Sequence, residues 1–287
     1  MPADHLTLDL SFQPPLDWSG LCRFLAARAI PGVESVQDGV YRRAVRLPHG
    51  GQWVAGWLAL AAAGPAGTLR LTLPASLAPL QDRVVVRLRR LFDLDRDPAP
   101  VAAGLGALGA AHPGVRVPGA FDGFETVVRA ILGQQVTVAA ASTLAGRLAR
   151  QFGVPLAIPL AGLTHAFPDA ATLAAADRET LGRLGIVRTR VAAIQGLAQA
   201  VAQGLVLAPG ADVPATLRAL QAIRGIGDWT AQYAAMRALK WADAFPAADH
   251  GVLTALGLRT AAQARAAAER WRPWRAYAVM CLWQSLG

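Results

Sequence analysis

The pattern of the chain changes once along its length, and that change limits its fold more than any single motif. Before Asp97-Pro98, short segments alternate in the manner of β-strands: Leu6-Thr7-Leu8-Asp9-Leu10, Val40 to Val45 after an Asp38-Gly39 turn, and Thr68 to Leu73. Two helical stretches accompany them. One follows Asp17, a suitable N-cap, and carries Leu21, Phe24, Leu25 and Ala29 at helical spacing; the other runs from about Leu77 to Phe92. From Pro113 onward no alternating segment remains. Helices punctuated by Gly and Pro follow at about 122–152, 170–184, 188–202, 215–223, 228–239, 249–256, 261–271 and 275–286. The pattern predicts an α+β protein with a small N-terminal antiparallel β-sheet lobe and its helices over 1–97, followed by all-helical lobes. No internal repeat or low-complexity linker separates them, so the lobes should pack directly on one another.

Composition narrows the partner. With 54% hydrophobic and 16% charged residues over 287 positions, the chain has ample material for several cores. The net charge is +9, and all but one of the 28 basic residues are arginine. Arginine offers phosphate a planar fork, so the balance suits a polyanion, although a plain bias toward Arg and Ala would give the same count. No run of like charge forms a tail. Cys22 and Cys281 are too few for a disulfide framework, a Cys-rich zinc site or a four-cysteine cluster, and read as reduced, partly buried thiols. Met1 to His5 lacks a basic segment followed by a long apolar one, and the apolar run Trp53 to Ala63 falls short of a membrane span. A cytoplasmic protein with no membrane contact is the expectation.

Two segments could carry chemistry. Leu220 to Ala231 reads as helix, tight turn, helix, with Gly225-Ile226-Gly227 at the turn. Gly225 and Gly227 free the backbone for positive φ and leave no Cβ between its amides and a phosphate, while the next helix, opening at Asp228-Trp229-Thr230, adds its positive end. A hairpin used only for packing needs one Gly, so that alternative stays open. After the second helix comes Phe245-Pro246-Ala247-Ala248-Asp249-His250-Gly251, where Pro246 interrupts the helix and Asp249 stands where a new one would begin. For an isolated Asp at such a place, a simple N-cap is the default reading.

Hairpin and downstream Asp together resemble the helix-hairpin-helix DNA glycosylase superfamily, whose signature is that hairpin, a Gly/Pro-rich loop and a catalytic Asp. Asp249 lies twenty-four positions after Gly225, in keeping with that family. Within it the chain is most similar to the DNA-3-methyladenine glycosylase II family. The likeness takes in Gln13-Pro14-Pro15-Leu16-Asp17-Trp18-Ser19, Phe24 to Ala29, Arg90 to Leu94, Arg129 to Gln134 and Ala268 to Arg275, and so nearly the whole chain.

The resemblance implies two helical lobes of the helix-hairpin-helix glycosylase fold, one over 113–230 ending in the hairpin, the other formed by 98–112 with 231–287 and carrying Asp249. It implies a base pocket of Phe24, Trp229, Tyr233 and Trp283, with Trp271 and Trp274 left to the core. It implies that Gly225, Gly227 and Thr230 of the hairpin hold DNA, and that Gln135 is the wedge filling the gap left by a flipped nucleotide. The wedge in the best-known family pattern is Leu, so an amide here changes its chemistry. Relatives that also cut the strand carry a Lys in the second hairpin helix as Schiff-base nucleophile; the equivalent residue is Trp229, and Lys240, the only lysine, reads as a solvated helix end. Ala248 stands where relatives can have an acid, which argues against a carboxylate pair.

These implications add up to a monofunctional enzyme of base excision repair. It would act as a monomer on duplex DNA with alkylated bases, use no cofactor and no catalytic metal, and leave an abasic site. A glycosylase for deaminated bases, and a non-catalytic DNA-binding protein in which Asp249 only caps a helix, are the alternatives. Gly104 to Gly109 matches a dinucleotide-binding pattern but follows Pro98 and Pro100 instead of a strand, and reads as a Gly/Ala-rich connector. His5, His49, His112 and His165 lack metal-ligand spacing, and His250 beside Asp249 reads as a loop or substrate-facing residue.

Overall fold

The structure, a computed structural model, describes residues 5–160 and 162–286. Met1 to Asp4 of the N-terminal segment discussed above lie outside the described residues.

The first lobe comprises β1 (His5–Ser11), α1 (Trp18–Arg28), β2 (Glu34–Gln37), β3 (Val40–His49), β4 (Gln52–Ala61), β5 (Thr68–Pro74) and α2 (Gln81–Phe92). Its five strands form an antiparallel sheet in the order β1-β5-β4-β3-β2. Leu58, Leu60, Leu69, Leu71 and Leu73 pack in one core with Val84, Leu88 and Phe92 of α2. Two strands go beyond the expectation. One is short β2; the other is β4, which occupies most of the apolar run from Trp53. Strand β4 is covered on both faces, with Leu58 and Leu60 in the α2 core and Ala55, Trp57 and Ala59 in a separate cluster. A strand buried on both sides loses its alternation and reads as a continuous apolar run.

The remainder begins with α3 (Pro98–Leu105) and α4 (Ala107–Ala110), so the supposed connector 104–109 is itself helical and gives its Val101 and Leu105 to a core with Trp271. Then come α5 (Gly123–Leu132), α6 (Val138–Phe152), β6 (Val154–Leu160) and β7 (Leu163–Ala166). The β6–β7 hairpin corrects the expectation of helices alone after Pro113. Its Leu156, Leu163 and Ala166 are what cover the outer face of β4. Pro155 and Pro159 hid it, since proline is foreign to inner strands and tolerated at edges.

Seven helices follow: α7 (Ala170–Ala175), α8 (Arg178–Arg183), α9 (Arg188–Ala202), α10 (Val213–Ala222), α11 (Asp228–Arg237), α12 (His250–Leu256) and α13 (Ala261–Ala268); α14 (Arg275–Gln284) ends the fold. Two helical cores result. One joins α5, α6, α9 and the start of α11 through Val127, Ile131, Leu148, Ile194 and Ala231; the other gathers Val115, Met236, Phe245, Val252, Tyr277 and Cys281. Asp residues at 17, 97, 122, 169, 177, 212 and 249 all cap helices through their side chains. Capping by Asp is therefore ordinary in this chain and by itself marks no site.

Lys240 is not a solvated helix end. Its Nζ lies 2.7 Å from Oδ1 of Asp93 and donates to the carbonyl of Val117 at 2.9 Å, with the side chain only 13% exposed. Tyr277 donates to the other oxygen of Asp93 at 2.6 Å, so Asp93 ties the first lobe both to Lys240 and to the last helix.

Candidate active site

The hairpin links α10 to α11. Gly225 has φ +93, a conformation that L side chains avoid, and it turns the chain while Ile226 plugs into the core. Gly227 corrects the expectation of positive φ at both glycines. It is extended, with φ −93 and ψ −178, and a Cβ there would meet nothing within 4 Å. The backbone at Gly227 and the first turn of α11 thus faces open space, as an anion clamp requires.

The loop between α5 and α6 is fastened to this hairpin. Gln134 Nε2 donates to the carbonyl of Gly225 at 2.9 Å and to Thr230 Oγ1 at 3.0 Å, and Arg190 donates to the carbonyl of Gln134. Thr230 is buried, and its hydroxyl accepts from Gln134, so it holds the loop against the hairpin at the wall of the cleft. Gln135 follows with φ +55 and is exposed, as is Val136. Tying one side of the loop inward drives the next residues outward over the cleft.

That cleft, of about 1200 Å³, is lined by Arg28, Gln135, Trp229, Tyr233, Asp249 and Trp283 among others. Trp229 and Tyr233, one turn apart on α11, stack with ring centroids 5.3 Å apart and planes 20° apart. Trp283 of α14 lies 6.4 Å from Tyr233 and, nearly parallel, 6.0 Å from Phe24 of α1. Three of the four expected pocket aromatics line the cleft; Phe24 does not, and it joins the series through Trp283, while Trp271 is buried and the half-buried Trp274 packs against the core, as expected.

Asp249 sits at the edge of this series. It caps α12, with Oδ1 accepting from Val252 N at 3.0 Å, and it also accepts from both indoles. Trp283 Nε1 donates to Oδ1 at 2.8 Å and Trp229 Nε1 to Oδ2 at 2.9 Å. Glycine at 251 makes this approach possible, because a Cβ there would stand 2.9 Å from Cδ1 of Trp283. The carboxylate is half-buried, and His250 beside it is exposed.

Cations crowd the phenol of Tyr233. Arg237 donates to its oxygen at 2.6 Å. Burial alone would raise the phenol, but Arg237, Arg28 and Arg129 outweigh burial and hold it below the usual tyrosine range. Arg129 in turn joins Glu34 at 2.8 Å and Glu125 at 3.4 Å in a buried network with Arg43. Arg28, Arg129 and Gln134 escaped the sequence reading of function. Their segments carried the family resemblance, but nothing in residue type or spacing shows which members of a helix face a cleft. Among the described residues, no three of His, Cys, Asp and Glu come together in a way that could hold a metal ion.

Fold, hairpin and carboxylate-bearing aromatic cleft are those of a DNA glycosylase of the helix-hairpin-helix type. Residues 128–272 match the family described as HhH-GPD superfamily base excision DNA repair protein, and residues 7–122 match the AlkA N-terminal domain. The chain belongs to the HhH-GPD superfamily. It is 40% identical over 283 residues to DNA-3-methyladenine glycosylase 2 of Escherichia coli, covering 97% of each chain. It is also 40% identical over 296 residues to a probable bifunctional transcriptional activator/DNA repair enzyme AlkA of Mycobacterium tuberculosis, spanning 99% of this chain and 58% of that one. Among solved structures, a 3-methyladenine DNA glycosylase from Archaeoglobus fulgidus shares the fold with a TM-score of 0.84 at 21% identity, covering 96% of this chain and 97% of that one. Among the described residues no helix is long and apolar enough to cross a membrane.

Proposed function

We propose that the protein is a monofunctional DNA glycosylase that hydrolyses the N-glycosidic bond of alkylated purines flipped from duplex DNA. The observation that carries this reading is the carboxylate of Asp249, gripped by the indoles of Trp229 and Trp283 at 2.9 Å and 2.8 Å at the edge of an aromatic cleft.

Each part of the site has a role in this reading. The hairpin backbone at Gly225 and Gly227 clamps phosphate, and Gln135 enters the space vacated by the flipped nucleotide. Alkylation at a ring nitrogen makes the base cationic, and the faces of Trp229, Tyr233 and Trp283 attract it by roughly 0.5 to 2 kcal/mol each, with Phe24 stacked beside Trp283. Such a base is already a good leaving group, so one carboxylate suffices where ordinary glycosidases use a pair.

Of the roughly four acceptor positions of a carboxylate, three on Asp249 are filled by Val252 N and the two indoles. That leaves room for one further contact, with the sugar or with the attacking water. Asp249 is held ready as a fixed negative charge beside the developing oxocarbenium ion. At about 4 Å and an effective dielectric of about 20, the attraction is roughly 4 kcal/mol, or about three decades of rate at most.

Lyase chemistry needs an amine in the cleft. Lys240 is instead paired with Asp93, and Trp229 stands at the position the resemblance gives to a catalytic lysine. In this reading the protein acts as a monomer on duplex DNA in the cytoplasm. The test is incubation with methylated duplex: free methylpurine is expected with the strand intact at an abasic site, and a borohydride-trappable protein–DNA adduct with strand cleavage would contradict it.

A further inference from the structure

Three arginines surround Tyr233, and two are occupied elsewhere. Arg129 pairs with Glu34 and Glu125, and Arg237 donates to the carbonyls of Pro118 and Gly119 as well as to the phenol. Arg28 differs. Among the described residues its guanidinium forms no ion pair, and it makes one hydrogen bond, from Nη1 to the carbonyl of Phe24 at 3.3 Å. A guanidinium carries five N–H donors, so most of those on Arg28 have no protein acceptor.

The guanidinium lies inside the aromatic wall. Its Cζ is 3.9 Å from the centroid of Phe24 and 5.7 Å from that of Trp283. Burial foremost lowers its pKa, with Tyr233 and Asp249 opposing, but a guanidinium stays charged throughout the working range of a protein. Trp283 therefore touches both ends of an electrical axis, its N–H on Asp249 and its face toward Arg28. A rim arginine waiting for phosphate would be solvated; this one is half-buried among rings.

A base resting on those rings meets a fixed cation with unused donors. A cationic alkylated base is opposed by it, while a neutral purine with a carbonyl oxygen or ring nitrogen on its edge gains charge-assisted hydrogen bonds. We infer that Arg28 is the specificity-determining residue of the cleft, reading the acceptor edge of neutral purines such as deaminated ones and discriminating against cationic ones. Cationic bases arrive already activated and tolerate the opposition. Arg28 thereby narrows the gap between an activated and an unactivated lesion class. The inference rests on the base-excision reading above.

The test compares single-turnover release of hypoxanthine and of 7-methylguanine from otherwise identical duplexes by wild type, Arg28→Met and Arg28→Lys, with folding of each checked by thermal melting. Arg28→Met is expected to slow hypoxanthine release roughly ten- to hundredfold, the value of one or two charge-assisted bonds, while 7-methylguanine release holds or rises. Arg28→Lys should keep the discrimination against 7-methylguanine and recover part of the hypoxanthine rate. Equal slowing of both bases by Arg28→Met, or an unchanged ratio, overturns the assignment. Wild type that releases neither base overturns the excision reading itself.

Discussion

Nε1 of Trp229 lies 2.9 Å from Oδ2 of Asp249, so the residue standing where a strand-cutting relative would carry its nucleophile donates instead to the carboxylate. In the proposed reading one position thus supplies a face to the base pocket, stands in place of an amine and orients Asp249. Trp283 donates to the other oxygen from α14, and between them the carboxylate has little freedom to rotate.

Removing one donor while keeping the ring separates these duties. Trp283→Phe frees Oδ1 from an indole but preserves an aromatic face beside Phe24 and Tyr233. Single-turnover base release is expected to fall about tenfold, the value of one hydrogen bond to a charged group, with affinity for abasic duplex changed less than about twofold. Equal losses in rate and binding would mean that the indole serves only to pack.

Gln134 couples the loop that carries Gln135 to the hairpin through Gly225 and Thr230. Gln134→Ala removes both bonds, a loss of about 1 to 3 kcal/mol, and should weaken binding to lesion-bearing duplex by roughly ten- to hundredfold in an anisotropy titration. No phosphate-facing charge is lost, so the slope of log affinity against log salt should stay the same.

The Lys240–Asp93 pair makes a claim about stability. Both side chains are largely buried, and Lys240→Met leaves Asp93 with Tyr277 as a donor but without its cation. Urea unfolding should show a loss of about 3 to 5 kcal/mol, and the double variant with Asp93→Asn should lose less than the sum of the single ones.

Burial pushes the Cys22 thiol up to about 11 and the Cys281 thiol up to about 12. Both stay protonated in the folded protein at pH 8 and should resist a thiol reagent until denaturant is added. The linkage follows: the folded state holds the proton more tightly, so this contribution is complete below the unfolded thiol value of about 8.5 and is lost as pH rises above it. Urea midpoints should fall between pH 8 and pH 10, and fall less in Cys281→Ala.

Much of this was legible in the residues, for a physical reason in each case. Alternation exposed β1, β3 and β5 because one face of each is wetter than the other. It concealed β4, buried on both faces, and β6, interrupted by prolines. The aromatics stand out only through the family resemblance, and Asp249 through that resemblance with its distance from the hairpin, since a lone Asp before a helix is equally a cap, and here it caps as well. Lys240 misled because a polar residue at a helix end usually seeks water; its partner, Asp93, is far away in sequence. Arg28 stayed hidden because facing inward is a property of packing.

The most direct measurement is single-turnover release of 7-methylguanine from duplex DNA by wild type and Asp249→Asn, with duplex affinity followed in parallel. Asparagine keeps the shape and can still accept from one indole, but it removes the charge. Loss of up to about three decades in rate with affinity within a few-fold of wild type is the expected result. An Asp249→Asn variant that releases base as fast as wild type would contradict the account and leave Asp249 as a helix cap.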